Sequence, residues 1–143
     1  MQIQFFYQNQ LKNYKYEELV FKYASAVSTI IELPDLIQVC LYDLGSDTYG
    51  GIDRYKINRI GLHYDLLLEQ VPNILVHELI HVNQKLLGTL KIKQSGWCFW
   101  HSIPYTKKSP DKMTKEEYEN LPWELDVVNR HPAILAQAKK LIL

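Results

Sequence analysis

Between residues 15 and 34 the apolar positions Leu19, Val20, Tyr23, Ala26, Val27, Ile30 and Ile31 recur every three to four residues. That is the spacing of one buried helix face, and Pro34 marks its end. "LIQVCLYDL", from Leu36 to Leu44, is dense in branched and apolar residues and reads as a strand. "GSDTYGGIDR" is a glycine-rich turn region. In "YKINRIGLHYDLLL", Ile60, Leu62 and Tyr64 alternate with Arg59, Gly61 and His63, which predicts a second, half-exposed strand. "VPNILVHELIHVNQKLLG" then predicts a helix, with Pro72 in its first turn and Gly88 at its stop. "LKIKQSGWCFWHSIPYT" reads as strand material around a turn at Ser95 and Gly96, and "KKSPDKM" as a polar loop. Thr114 with Glu117 three residues on forms a capping box. Pro122 opens a short helix, "PWELDVVNR", which His131-Pro132 breaks before a last amphipathic helix, "AILAQAKKLIL". The pattern predicts one α+β domain spanning residues 1–143.

The helix beginning at Val71 carries two apolar strips. Leu75, Leu79, Val82 and Leu86 form one; Val76, Ile80 and Leu87 form the other. Residues four apart share a helix face, so His77 and His81 point the same way, with Gln84 and Gly88 continuing the row. A helix buried on two sides with a narrow polar ridge on the third has the shape of a cleft floor.

That ridge has the pattern H-E-x-x-H. Two imidazoles one turn apart can both reach a single Zn²⁺ at about 2.0–2.1 Å. Glu78, beside the first histidine, is placed to act as general base toward a water at the open fourth position. A zinc hydrolase needs a third protein ligand. Residues 84 and 87 are Gln and Leu, so an extended HExxHxxGxxH is absent. Downstream the chain offers His101, Glu124, Asp126 and His131. Glu124 is favoured, because its helix can pack on the metal helix through Val127 and Val128 and leave Glu124 facing the ion, with Trp123 as a wall. His101, in a strand-like aromatic segment, is the alternative. Asp126 points elsewhere on its helix, and His131 precedes a proline.

Composition narrows the setting. The chain of 143 residues has 16 basic and 16 acidic side chains, and 47% of its residues are hydrophobic. A zero formal charge gives no net basic face, so no nucleic-acid partner is expected. No apolar run approaches a membrane span. Cys40 and Cys98 have no metal-finger spacing and read as free thiols in a reducing compartment. The opening "MQIQFFYQNQLKNY" lacks a basic n-region and a long apolar core. A cytoplasmic protein without a membrane partner follows. Oligomeric state and preferred substrate side chain leave no mark.

"VPNILVHELIHVNQ" followed by "YENLPWELDV" resembles the small zincin-like metallopeptidases common in bacteriophage genomes. These show a HELxHxxQ helix, an aromatic hairpin and a downstream PWE segment, and are similar to gluzincins, whose third zinc ligand is a glutamate on a later helix. The resemblance covers about half the chain. It implies a minimal zincin-like fold, with a small, mostly antiparallel sheet packed on helices that include the HExxH helix. It implies a zinc-dependent peptidase acting on peptide or protein substrates, in the host cytoplasm if phage-encoded. By position, His77, His81 and Glu124 match the ligands and Glu78 the base. "WHSIPY" matches the hairpin. Zinc peptidases often stabilise the oxyanion with a Tyr or His from outside the metal helix; Tyr105, His101 and Tyr118 are available, Tyr105 first because it lies on the hairpin. The strand "RIGLHYDL" would be the edge that an extended peptide joins, with His63 at the surface. Gluzincins often hold an acid four residues after the ligand glutamate. Here that residue is Val128, so Asp126 or a backbone carbonyl must orient a ligand instead. The alternative function is a zincin-fold protein that binds zinc in a structural or assembly role without proteolysis.

Overall fold

The computed structural model describes residues 1–8, 12–45 and 48–143. The chain is α+β, with four α-helices and two small sheets among the described residues. β1 (Gln2–Tyr7) leads into α1 (Tyr14–Ser28) and back to β2 (Leu36–Tyr42), which pairs with β1 in parallel. β3 (Gly50–Ile52) and β4 (Arg59–His63) follow, then α2 (Val71–Leu87). The sheet order is β1-β2-β4-β3. β4 runs parallel to β2 and antiparallel to β3.

Three expectations change here. The sheet under the helices is not mostly antiparallel: two of its three pairings are parallel. β4 is not the edge but an interior strand, and β3 is the edge. Nor is β4 half exposed, since Ile60, Gly61 and Leu62 are all buried. A strand flanked by a parallel neighbour is covered on both faces and loses its alternation. Gly61 shows why: a Cβ there would lie 2.7 Å from the Tyr42 hydroxyl, which crosses that face. β1 was not expected at all, although Ile3, Phe5 and Tyr7 alternate with more exposed neighbours and pack on the core. β3 lies inside the segment read as a turn; residues 46–47 of that segment are outside the described residues.

α1 stops at Ser28 rather than at Pro34, with Thr29 as its cap. The Ile30 and Ile31 amides still bond back to the Val27 carbonyl, so the chain winds one more turn without helix. α2 begins with Pro72 in its first turn and ends at Gly88, whose φ of 77° is left-handed. Leu75, Val76, Leu79, Ile80 and Val82 are fully buried among Val20, Val27, Ile37, Val39, Leu62 and Val127. Leu86 and Leu87 are exposed, so the two apolar strips end one turn early.

A three-stranded antiparallel sheet follows: β5 (Leu90–Ile92), β6 (Cys98–Trp100) and β7 (Ile103–Thr106). Gly96 turns the first corner at φ 96°. His101 and Ser102 turn the second, with φ of 50° and 67°; two consecutive positive values suit a two-residue hairpin turn. After a 3-10 turn at Pro110–Lys112 come α3 (Lys115–Glu119), with its Thr114–Glu117 capping box, and α4 (Pro122–Ile142). α4 is one continuous helix; Pro132 does not break it. Val127 on one side of the proline and Ile134 and Ala138 on the other are buried in the same core. His131 also donates through Nε2 to the Asn73 carbonyl of α2, at 2.9 Å. Packing on both sides outweighs the missing amide hydrogen bond.

Candidate metal centre

α2 crosses the edge of the large sheet, and β3 lies over it so closely that Gly50 is required. A Cβ at that position would meet Ile74 Cγ2 at 2.9 Å, Glu78 Cγ at 3.1 Å and Glu78 Oε1 at 3.2 Å. The far end of the segment is tied down too. Lys85 is buried, and its ammonium donates to the Lys56 carbonyl at 2.9 Å and to the Asp53 carbonyl. The edge strand is thereby fixed to the helix that carries His77, Glu78 and His81.

Glu124 arrives from α4. Leu121 and Trp123 anchor its first turn in a second, smaller core with Leu90 and Cys98, packed by Met113 and Trp100. Val127, one turn on, enters the main core, whereas Val128 faces outward at 65% exposure and does not pack on α2 as expected. Held at both points, Glu124 turns toward α2. Its Oε2 lies 2.6 Å from His81 Nε2 and its Oε1 3.3 Å from His77 Nε2. One donor atom from each of His77, His81 and Glu124 lies within 4.8 Å of the others.

Two imidazoles and a carboxylate are a zinc-type donor set. Ligand bonds of about 2.0–2.1 Å at tetrahedral angles space donors by roughly 3.4 Å. The His77–Glu124 separation of 3.3 Å matches, and the His81–Glu124 contact of 2.6 Å opens by less than the length of a bond to admit the ion. The residues fit the metal.

The tautomer of His81 is dictated by its neighbours. Gln84 Nε2 donates to the Trp123 carbonyl at 2.9 Å and to Asp126 Oδ2 at 2.8 Å. Both partners only accept, so the amide nitrogen must face them and Oε1 must face His81. Oε1 lies 2.8 Å from His81 Nδ1, which therefore carries a proton and leaves Nε2 directed at Glu124. Asp126 is held in turn by Arg130 at 3.1 Å, and Arg130 also donates to Asn83 Oδ1 at 2.9 Å. Asp126 thus does reach the centre, through Gln84. The Q of HELxHxxQ was visible in the sequence, but its pairing with Asp126 two residues past Glu124 was not.

The electrostatics follow from burial and charge. Burial raises the Glu78 carboxyl, and Glu124 pushes it the same way, while His81 and His77 pull it down; the result is above the ordinary value. Glu124 is pulled upward by burial, but the hydrogen bonds from His77 and His81 win and bring it down to about 2. His81 is lowered by burial and raised by the Glu124 hydrogen bond and charge, ending above its usual range.

The group opens into a cavity of about 670 Å³. Gly50, Gly51 and Ile52 of β3 form one wall; Leu121, Trp123 and Tyr118 form another. Tyr118 lines the cavity with 39% of its surface exposed. Burial, then the charges of Glu124 and Glu78, hold its phenol well above the ordinary value, so it remains a proton donor. Tyr105, the expected oxyanion residue, is not among the cavity's walls. It packs edge-on against Trp123, 5.6 Å between ring centres, and is 52% exposed. His101 sits in the hairpin turn against Trp100 and is outside the donor group. The His131 ring lies tilted against His77, 6.5 Å between centres, but bonds to Asn73. His63 lies at the end of β4 beside Asp43.

Comparison of the chain with models of known families, with characterised proteins and with solved structures yields no match. Among the described residues no helix is long and apolar enough to cross a membrane.

Proposed function

We propose that the protein is a zinc-dependent peptidase of the zincin type. One observation carries this reading: the donor atoms of His77, His81 and Glu124 converge from two helices, with the Glu78 carboxylate beside them, under an unpaired sheet edge. When bound, zinc supplies a Lewis acid that polarises a carbonyl and acidifies a water.

The chain's own groups do the rest. The free edge of β3 offers backbone donors and acceptors to an extended peptide, which lies as an added strand with its scissile carbonyl over Glu78. Glu78, buried and raised in basicity, takes the proton of the attacking water at its carboxylate and passes it to the departing amine. Tyr118, in place of Tyr105, donates its phenolic hydrogen to the oxygen that gains charge. Gln84 holds His81 in the tautomer that presents Nε2. Trp123 and Leu121 exclude water from the side facing α4.

The test is cleavage of a peptide library by the zinc-loaded protein and by Glu78→Gln at equal zinc content. A carboxylate base contributes about 10²–10⁴-fold, so the variant should keep its zinc and lose that factor in rate. Equal cleavage by both would end the peptidase reading. Zinc binding without cleavage of any peptide or protein by the wild type would leave the alternative, a zincin-fold protein that holds zinc in a structural or assembly role.

A further inference from the structure

The chain as a whole balances 16 basic against 16 acidic residues, yet residues 89–112 hold Lys91, Lys93, Lys107, Lys108 and Lys112 against Asp111 alone. All five lysines are exposed. Of this stretch Leu90, Ile92, Cys98, Lys108, Pro110 and Asp111 line the cavity, so one of the five lysines stands on its wall. Arg54 projects from the opposite side into the same space. It lines the cavity, and its Nη2 donates to the Gly96 carbonyl at a long 3.4 Å. The Lys107 side chain lies against Gly96 as well. Lys108 is bound to Glu117 at 2.9 Å. Among the described residues no carboxylate is within ion-pair distance of Arg54, and its side chain lines the cavity.

Register gives the reach. Gly50 sits against Glu78, and Arg54 is four residues further along the same edge segment. At about 3.3 Å per residue that is at most about 13 Å of extended chain. A peptide lying along β3 with its bond at Glu78 brings a side chain within four positions of that bond to the guanidinium.

We infer that the cleft is selective for acidic peptides, with Arg54 as the residue that binds a substrate carboxylate. This rests on the reading of the cleft as a peptide site. A guanidinium pairs with a carboxylate through two parallel hydrogen bonds. The carboxylate is that of an Asp or Glu side chain. A nucleic acid fits less well, because the chain's formal charge is zero.

The experiment measures fluorescence anisotropy of labelled ten-residue peptides on the full-length, zinc-loaded Glu78→Gln protein. The peptides share an apolar core and differ in carrying two Glu, two Gln or two Lys, each with a free or amidated C-terminus. The acidic peptide should bind about 10–100-fold more tightly than the neutral one. Adding Arg54→Gln should erase that margin and leave neutral binding within about twofold, while Arg54→Lys, scored beside it with a melting curve, should keep part of it. The margin should survive amidation, which removes the terminal carboxylate; a margin lost on amidation would overturn the assignment to the side chain. Equal binding of acidic and neutral peptides, no binding of any, or displacement by a single-stranded oligonucleotide at equal concentration would each overturn the inference. Cleavage by the wild type regardless of peptide charge would overturn it while sparing the peptidase reading. Acidic preference in a protein that cleaves nothing would do the reverse.

Discussion

His81 is held from both ring nitrogens, and each contact makes a prediction. Gln84 fixes Nδ1 at 2.8 Å. Replacing Gln84 by Leu should weaken zinc binding by about 10–100-fold, the usual effect of losing a partner that orients a ligand histidine. A competition titration against a chelator measures it, and unchanged affinity would show that His81 is positioned by packing alone. On the other side, Glu124 holds His81 Nε2 at 2.6 Å, so the zinc-free protein carries a proton between them. Burial lowers the His81 pKa, the Glu124 contact raises it more, and the folded value exceeds the ordinary 6.5. This contribution to zinc-free stability is complete below 6.5 and is lost as pH rises through the folded value. Glu124, brought down to about 2 against burial by the two histidines, contributes above its ordinary 4.5 and loses that contribution as pH falls from 4.5 toward about 2. Zinc must displace the His81 proton, so its affinity should climb as pH rises through the His81 folded value. A flat affinity from about pH 6 to 8.5 would contradict the ion pair. At this scale the sequence was informative for the groups whose spacing is local. His77, Glu78 and His81 share one helix turn, and Glu124 was the carboxylate at a later helix start. Tyr118 was only one of three oxyanion candidates and ranked behind Tyr105, because which tyrosine faces the cavity depends on how the small sheet docks on Trp123, a contact no local pattern encodes.

Elements were legible where their ends carried local signals, as in the almost wholly buried α2, and obscure where both faces of a strand were covered. α2 carried a start in Pro72 and a stop in Gly88, and its boundaries followed. β4 is buried on both faces and so mimicked a half-exposed strand only through Arg59 and His63 at its ends. β3 has three residues, two of them glycine, and reads as a turn by composition. Gly50 serves proximity. Gly50→Ala should displace either the edge strand or the Glu78 side chain and cut hydrolysis by about 10–100-fold, since small misplacements of reacting groups cost that much. Zinc content should stay at one per chain. Full activity in Gly50→Ala would show that β3 yields without disturbing Glu78. α4 bears the opposite lesson, because Pro132 signalled an end that tertiary packing overrode. Its position is exposed and helical, so Pro132→Ala should stabilise the protein, by up to about 3 kcal/mol. Urea denaturation reads this, and a lower midpoint would mean that the proline shapes the contact of His131 with Asn73.

For the molecule as a whole, candidate metal centre and core share one helix. Leu79 and Ile80 are fully buried between Glu78 and His81, and truncating either to Ala should cost about 2–5 kcal/mol. Metal held only by the native state adds stability by mass action, so chelation should lower the melting temperature. The topology that joins the sheet edge, α2 and α4 was not readable from the chain, because the parallel pairings and the return of α4 are contacts between distant segments. The central claim is that His77, His81 and Glu124, and not His101, hold the ion. Zinc per chain, measured by elemental analysis after dialysis against a weak chelator, tests it in wild type, Glu78→Gln, His77→Ala, Glu124→Gln and His101→Ala, with circular dichroism confirming the fold of each. One zinc is expected in the wild type, Glu78→Gln and His101→Ala, and little or none in His77→Ala and Glu124→Gln. Zinc retained by Glu124→Gln and lost from His101→Ala would contradict the assignment.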